Sequence, residues 1–117
     1  MKIAIPDWQG RVAPVFDVCG RLWVIEVAGR REIGRSEVQL GGCEAFRRVR
    51  RIAELGVDVL ICGAISRNVE AALAAAGIRV LAFICGPVET VLAGFLARGC
   101  PDADACMPGC HLPHRDA

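Results

Sequence analysis

Two segments of this chain share one design. Val59-Leu60-Ile61-Cys62-Gly63-Ala64-Ile65-Ser66 and Val80-Leu81-Ala82-Phe83-Ile84-Cys85-Gly86-Pro87 are each an apolar run that closes on Ile-Cys-Gly and leads into a helical pattern. Short, unbroken apolar runs are how parallel strands covered on both faces read. A parallel strand that turns into a helix commits the chain to an open α/β sheet. Ligands of such sheets bind just beyond the carboxyl ends of the strands. Two thiols therefore stand at the expected working edge.

The remaining segments complete the sheet. Lys2–Pro6 is a short apolar strand. Residues 7–20, with Gly10, Pro14 and Gly20, read as a long loop. Arg21–Val27 and Glu32–Leu40, separated by a glycine-containing turn, form a hairpin. Cys43–Leu55 reads as a helix with Phe46, Val49 and Ala53 on its apolar face and Arg47, Arg48, Arg50 and Arg51 mostly on its solvated face. Val57–Ile61 is the fourth strand. Ser66 caps a second helix carrying Val69, Ala72, Leu73 and Ala76 at helical spacing. Ile78–Ile84 is the fifth strand, and Pro87 opens a third helix with Val88, Val91, Leu92, Phe95 and Leu96 inward. The element order is βββαβαβα. A meander followed by right-handed crossovers gives a three-layer, ribonuclease-H-like α/β fold. Its mixed five-stranded sheet has spatial order 3-2-1-4-5 and is flanked by helices. Residues 1–98 form this domain. Residues 99–117 form a Cys/His-rich tail.

The chain of 117 residues, 54% hydrophobic and 23% charged, is sized for one domain with a real core. A net charge of +1 predicts no nucleic-acid partner. The start is too short for a signal-peptide core and no run suits a membrane span, so a cytoplasmic chain without membrane association is expected. Seven cysteines, an odd number with no secretion signal, read as reduced thiols.

With strands 1, 3, 4 and 5 running the same way, Cys19, Cys43, Cys62 and Cys85 all fall at one sheet edge. Core filler scatters; this set does not. Cys43, Cys62 and Cys85 precede helices, whose positive N-terminal ends favour thiolate, the form that binds soft metals and iron–sulfur clusters. The backbone N–H groups of Gly63, Ala64, Gly86 and Val88 are available to cluster sulfides or another anion. The loop of residues 7–20 is long enough to act as a lid. In the tail, Cys100, Cys106, Cys110 and His111 could form a tetrahedral metal site. Two-metal nuclease chemistry needs clustered carboxylates; Asp7 and Asp58 belong to opposite ends of parallel strands. No acid–base catalyst stands out, since both histidines are in the tail and tyrosine is absent.

Lys2-Ile3-Ala4-Ile5-Pro6, Gly10-Arg11-Val12-Ala13-Pro14-Val15-Phe16, Gly56 through Ser66, Gly77-Ile78-Arg79-Val80 and Met107-Pro108-Gly109-Cys110, in that order, resemble the NifX-type, dinitrogenase iron–molybdenum-cofactor binding family. The resemblance implies a ribonuclease-H-like fold. It implies a small carrier for an iron–sulfur or molybdenum-containing cluster, working with a cluster-assembly or recipient protein, and not an enzyme. The expected cluster ligands are Cys62 and Cys85, with Cys19 and Cys43 as candidates and Gly63 and Gly86 beside them. Many members carry a His-Phe-Gly whose histidine would contact the cluster; here the stretch is Val15-Phe16-Asp17. The alternative is a zinc-binding or thiol-redox interaction module built on the tail. A cluster shared between two copies would make the chain a homo-oligomer.

Overall fold

The computed structural model describes residues 1–41 and 44–98; Cys43 and all of the tail, including Cys100, Cys106, Cys110 and His111, lie outside the described residues. The sheet begins with β1 (Lys2–Trp8), a two-residue β2 (Arg11–Val12), β3 (Arg21–Ala28) and β4 (Arg31–Gln39). Helix α1 (Ala45–Glu54) follows, then β5 (Val59–Ile61), α2 (Arg67–Ala75), β6 (Arg79–Leu81) and α3 (Val88–Arg98). The strands lie in the order β4-β3-β1-β5-β6, with β2 paired to β1. β3 runs antiparallel to both of its neighbours, β1 and β4, while β1, β5 and β6 run parallel. The carboxyl ends of β1, β4, β5 and β6 therefore share one edge.

Alternation along each strand builds two cores. Ile3 and Ile5 of β1, Ile25 and Val27 of β3, and Val59 and Ile61 of β5 pack under Val88, Val91, Leu92 and Phe95 of α3. Ala4, Leu22, Val24 and Leu60, pointing the other way, pack under Val49 and Ile52 of α1 and Val69 and Leu73 of α2. Successive strand residues face opposite sides, so strands buried on both faces have no polar alternation to show, as the two Ile-Cys-Gly runs anticipated.

Three sequence expectations change. First, residues 7–20 are not all loop. β1 runs on to Trp8, and a two-residue turn at Gln9 (φ 54°) and Gly10 (φ 83°) leads into β2. Positive φ at both turn residues is the geometry that matches strand twist in tight hairpins. Asp7, 6% exposed, secures the turn by accepting from the Gly10 N–H (3.1 Å) and from Arg21 Nη2 (2.7 Å). Second, β5 and β6 are three residues each, shorter than their apolar runs. The run continues past the ladder because the residues after each strand are also buried or half-buried. Third, α1 buries Arg48, Val49 and Ile52, while Phe46 is 60% exposed. Phe46 and Ile52 are equally spaced from Val49 but on opposite flanks, and the buried side is the one shared by Ala45, Arg48, Val49 and Ile52.

β4 is one border of the sheet. Glu26 pairs with Gly34 and Val27 with Glu32, so the register skips Ile33 and the strand bulges there. Arg35 lies over the Trp23 ring, 5.4 Å from its centroid, and pairs with Glu32 and with Glu89 at the start of α3.

Leu60 is fully buried at the centre of the α1/α2 side. Leu60→Ala is expected to cost roughly 2–5 kcal/mol, measured by urea denaturation. A cost below about 1 kcal/mol would mean that this layer collapses onto the gap.

Candidate functional site

The carboxyl edge is closed by the chain between Gly10 and Phe16, stitched to both strand ends by its backbone. Val12 N–H donates to the Gly86 carbonyl (2.9 Å) and Val88 N–H to the Gly10 carbonyl (2.9 Å). On the β5 side, Ala64 N–H donates to Pro14 O (2.8 Å) and Phe16 N–H to Ala64 O (2.8 Å). Asp17 Oδ1 accepts the Ser66 N–H (3.0 Å), just before α2. The segment does cover the edge, as the lid reading expected. It also corrects the expectation of open N–H groups: those of Ala64 and Val88 are already spent on the covering segment.

Gly63 lies at the closest approach. A Cβ there would meet the carbonyl oxygens of Ala13 and Pro14, each at 2.6 Å. The glycine is needed by the crossing backbone, whatever else it serves. Gly86 follows from a different requirement, φ 121°, which side chains rarely adopt. Between them Phe83 takes φ 63°. That turn lets Phe83 N–H reach the Gly63 carbonyl and Ile84 N–H the Cys62 carbonyl, both at 2.9 Å. A non-glycine residue held this way stores strain, and such residues gather at functional sites.

The thiols divide into two kinds. Cys19 and Cys62 belong to the buried α1/α2 core, 6% and 0% exposed. Cys85 is half-buried and belongs to neither core. None of the three is in a disulfide. Burial pushes the Cys62 thiol well above its ordinary range, and the nearby Glu70, Cys19 and Asp17 push the same way. Burial also raises the Cys19 thiol, against the opposing pull of Arg48. The expectation of a helix-favoured thiolate at Cys62 is therefore corrected: desolvation outweighs the N-terminus of α2, which begins several residues further on.

Arg48 is the site residue that the sequence reading placed on the wrong face. It is 4% exposed, and its Nη1 donates to the Cys19 carbonyl and lies 3.5 Å from Cys19 Sγ. It fixes α1 to Cys19, three residues beyond the covering segment. The signal was present in the repeat Ala45, Arg48, Val49, Ile52, but a cluster of four arginines reads first as solvent-facing.

Among the described residues no three His, Cys, Asp or Glu side chains gather as a metal site. A thiolate-held cluster needs thiols that can be reached and deprotonated. In the closed arrangement Cys62 meets neither condition and Cys19 is shielded, so Cys85 is the described thiol best placed to meet a ligand from outside. The carboxylates do not cluster either. Asp7 is spent at one end of β1, and Asp58 Oδ2 accepts the Lys2 N–H (2.8 Å) at the other.

The described residues thus form a small mixed α/β domain whose covered carboxyl edge carries cysteines. The chain belongs to the dinitrogenase iron–molybdenum cofactor family, whose model matches residues 1–98. Its fold recurs in the crystal structure of PH0822, with TM-score 0.81 at 19% identity, covering 87% of this chain and 93% of that one. A candidate dinitrogenase from Methanocaldococcus jannaschii is similar, with TM-score 0.71 at 15% identity and coverage of 83% and 88%. So is a candidate NifB protein from Thermotoga, with TM-score 0.68 at 22% identity and coverage of 86% and 91%. No curated protein matches the chain significantly. No helix among the described residues is long and apolar enough to cross a membrane.

Two outcomes follow from the covered edge. Gly63→Ala is expected to destabilise the fold by about 1–3 kcal/mol, the usual cost of overpacking, with faster hydrogen exchange at the Ala64 and Phe16 amides. Unchanged exchange would show that the crossing segment yields without opening. The buried thiol sets a pH dependence. Above the ordinary thiol value of 9.0, an unfolded chain releases the Cys62 proton while the folded chain keeps it. The unfolded state then holds fewer protons, so stability falls as pH rises. Relative to Cys62→Ala, the wild type should lose up to about 1.4 kcal/mol per pH unit beyond that value, read from urea midpoints across the alkaline range. Parallel curves would place a proton-releasing thiol in the folded chain.

Proposed function

We propose that this chain binds a metallocluster of the iron–molybdenum or iron–sulfur type as cargo, and carries it during cluster biosynthesis or delivery without transforming it. One observation carries the reading: a chain of the dinitrogenase iron–molybdenum cofactor family brings Cys19, Cys62 and Cys85 to a single sheet edge. The strand order β4-β3-β1-β5-β6, with α3 on one face and α1 and α2 on the other, supports assignment to the ribonuclease-H-like arrangement.

In this proposal Cys85 and Gly86 are the first groups a cargo meets. Cys19 and Cys62 join only when the segment from Gly10 to Phe16 lifts from Ala64 and Gly86. Cys43 and the tail thiols are further donors to test, with the tail beginning at residue 99. A cluster-assembly or recipient protein supplies or takes the cargo.

The test is iron, molybdenum, copper, zinc and acid-labile sulfide per chain, on protein purified without oxygen. Iron with matching sulfide is expected, reduced strongly in Cys85→Ala. A colourless, metal-free protein after reconstitution would sink the proposal. Zinc without sulfide, lost in Cys106→Ala/Cys110→Ala, would replace it with a zinc module on the tail.

A further inference from the structure

We propose that the outer side of α1 docks an acidic protein, and that Phe46 is its anchor. At 3.6 residues per turn, Phe46, Arg47, Arg50, Arg51 and Glu54 share one side of the helix, and all are exposed. Phe46, at 60% exposure, is one of the most exposed large apolar side chains described.

Stability does not explain this face. Among the described residues, the guanidinium groups of Arg47, Arg50 and Arg51 make no hydrogen bond or ion pair. Arg47 and Arg51 stand one helical turn apart, as do Arg47 and Arg50, and like charges at these spacings weaken a helix. The nearest carboxylates are Glu44 at the N-cap and Glu54 in the last turn, and among the described residues neither forms an ion pair with these arginines. A helix selected only for solubility would alternate its charges. An aromatic residue flanked by arginines is instead the composition of an interface centre.

The charge pattern selects the partner. The whole chain carries only +1, so attraction is local to α1 rather than the broad basic field of a nucleic-acid binder. The complement is a protein surface with carboxylates around an apolar recess. α1 follows the carboxyl end of β4, so its first turn, with Phe46 and Arg47, starts at the edge that holds Cys62 and Cys85. A partner seated there is next to any cargo at that edge. The docking itself needs no cargo, and metal-free protein tests it.

The probe is a synthetic helical peptide with glutamates surrounding one leucine, titrated into the isotope-labelled full chain and followed by amide chemical shifts. Shifts confined to residues 44–54 are expected. Phe46→Ala should weaken binding by about thirtyfold or more, the threshold of a hot-spot residue. Arg47→Ala/Arg50→Ala/Arg51→Ala should abolish it, while keeping the wild-type melting midpoint or raising it, since alanine removes the like-charge spacings and favours the helix. The glutamine version of the peptide should not bind, and salt near 0.2 M should weaken binding through screening on the order of 10 Å. Absence of shifts on α1, or equal binding of the glutamine peptide, overturns the proposal. Tighter binding at the same residues by single-stranded RNA, or by vesicles of phosphatidylglycerol, overturns it in favour of that ligand. Metal and sulfide content should be unchanged in all these variants, so loss of docking and loss of cargo binding are separate results.

Discussion

The arrangement rests on one contact between backbones. Where β5 ends, Gly63 has no side chain, and the carbonyls of Ala13 and Pro14 occupy the space a Cβ would take. That approach allows the exchange of hydrogen bonds between Ala64, Pro14 and Phe16, and so fixes the path of the covering segment. Everything placed behind it follows: the dry surroundings of Cys62, the seat of Cys19 beneath Arg48, and the loss of two backbone donors that the bare strand ends would have offered. A single missing methyl group decides whether this edge is an open cradle or a covered one.

The two strand ends share the letters Ile-Cys-Gly but not their environment. Cys62 lies one step beyond Ile61 in an alternation that alternates cores, and its thiol falls into the α1/α2 side. After β6 the left-handed Phe83 breaks that alternation; Ile84 enters the α3 side, and Cys85 is left outside both cores. Identical sequence triplets thus yield one fully buried and one half-buried thiol. The difference originates two residues upstream of the second triplet's cysteine, in a backbone conformation.

Much of the fold was legible. Unbroken apolar runs marked the buried parallel strands, Ser66 accepts the Val69 N–H as a cap should, and the repeats found the inward faces of α3 and of α2, save Ala76, which is exposed at the C-cap. The site was legible only in outline. Sequence placed the cysteines at one edge but could not show burial, because burial depends on residues 10–16 crossing back over strands 50 to 75 positions away. Arg48 was missed for a related reason: its partner is the Cys19 carbonyl, a group every residue possesses and no pattern marks. Strand direction alone set Asp7 aside as a nuclease carboxylate, but its partners, a turn amide and Arg21, had no mark in the sequence. Local periodicity carries elements; long-range backbone contacts carry their chemistry.

The bulge at Ile33 has a consequence for how this protein keeps company with itself. An unpaired border strand is a template on which further strands can stack, and long flat borders seed fibres. β4 is nine residues long, yet the skipped residue bends it, and Arg31, Glu32, Arg35 and Glu37 line its length. The opposite border, β6, has only three residues. The sheet is therefore finished at both sides, poorly suited to recruiting a strand from a neighbour. Among the described residues, neither border offers the long, flat, uncharged strand on which identical sheets zip together.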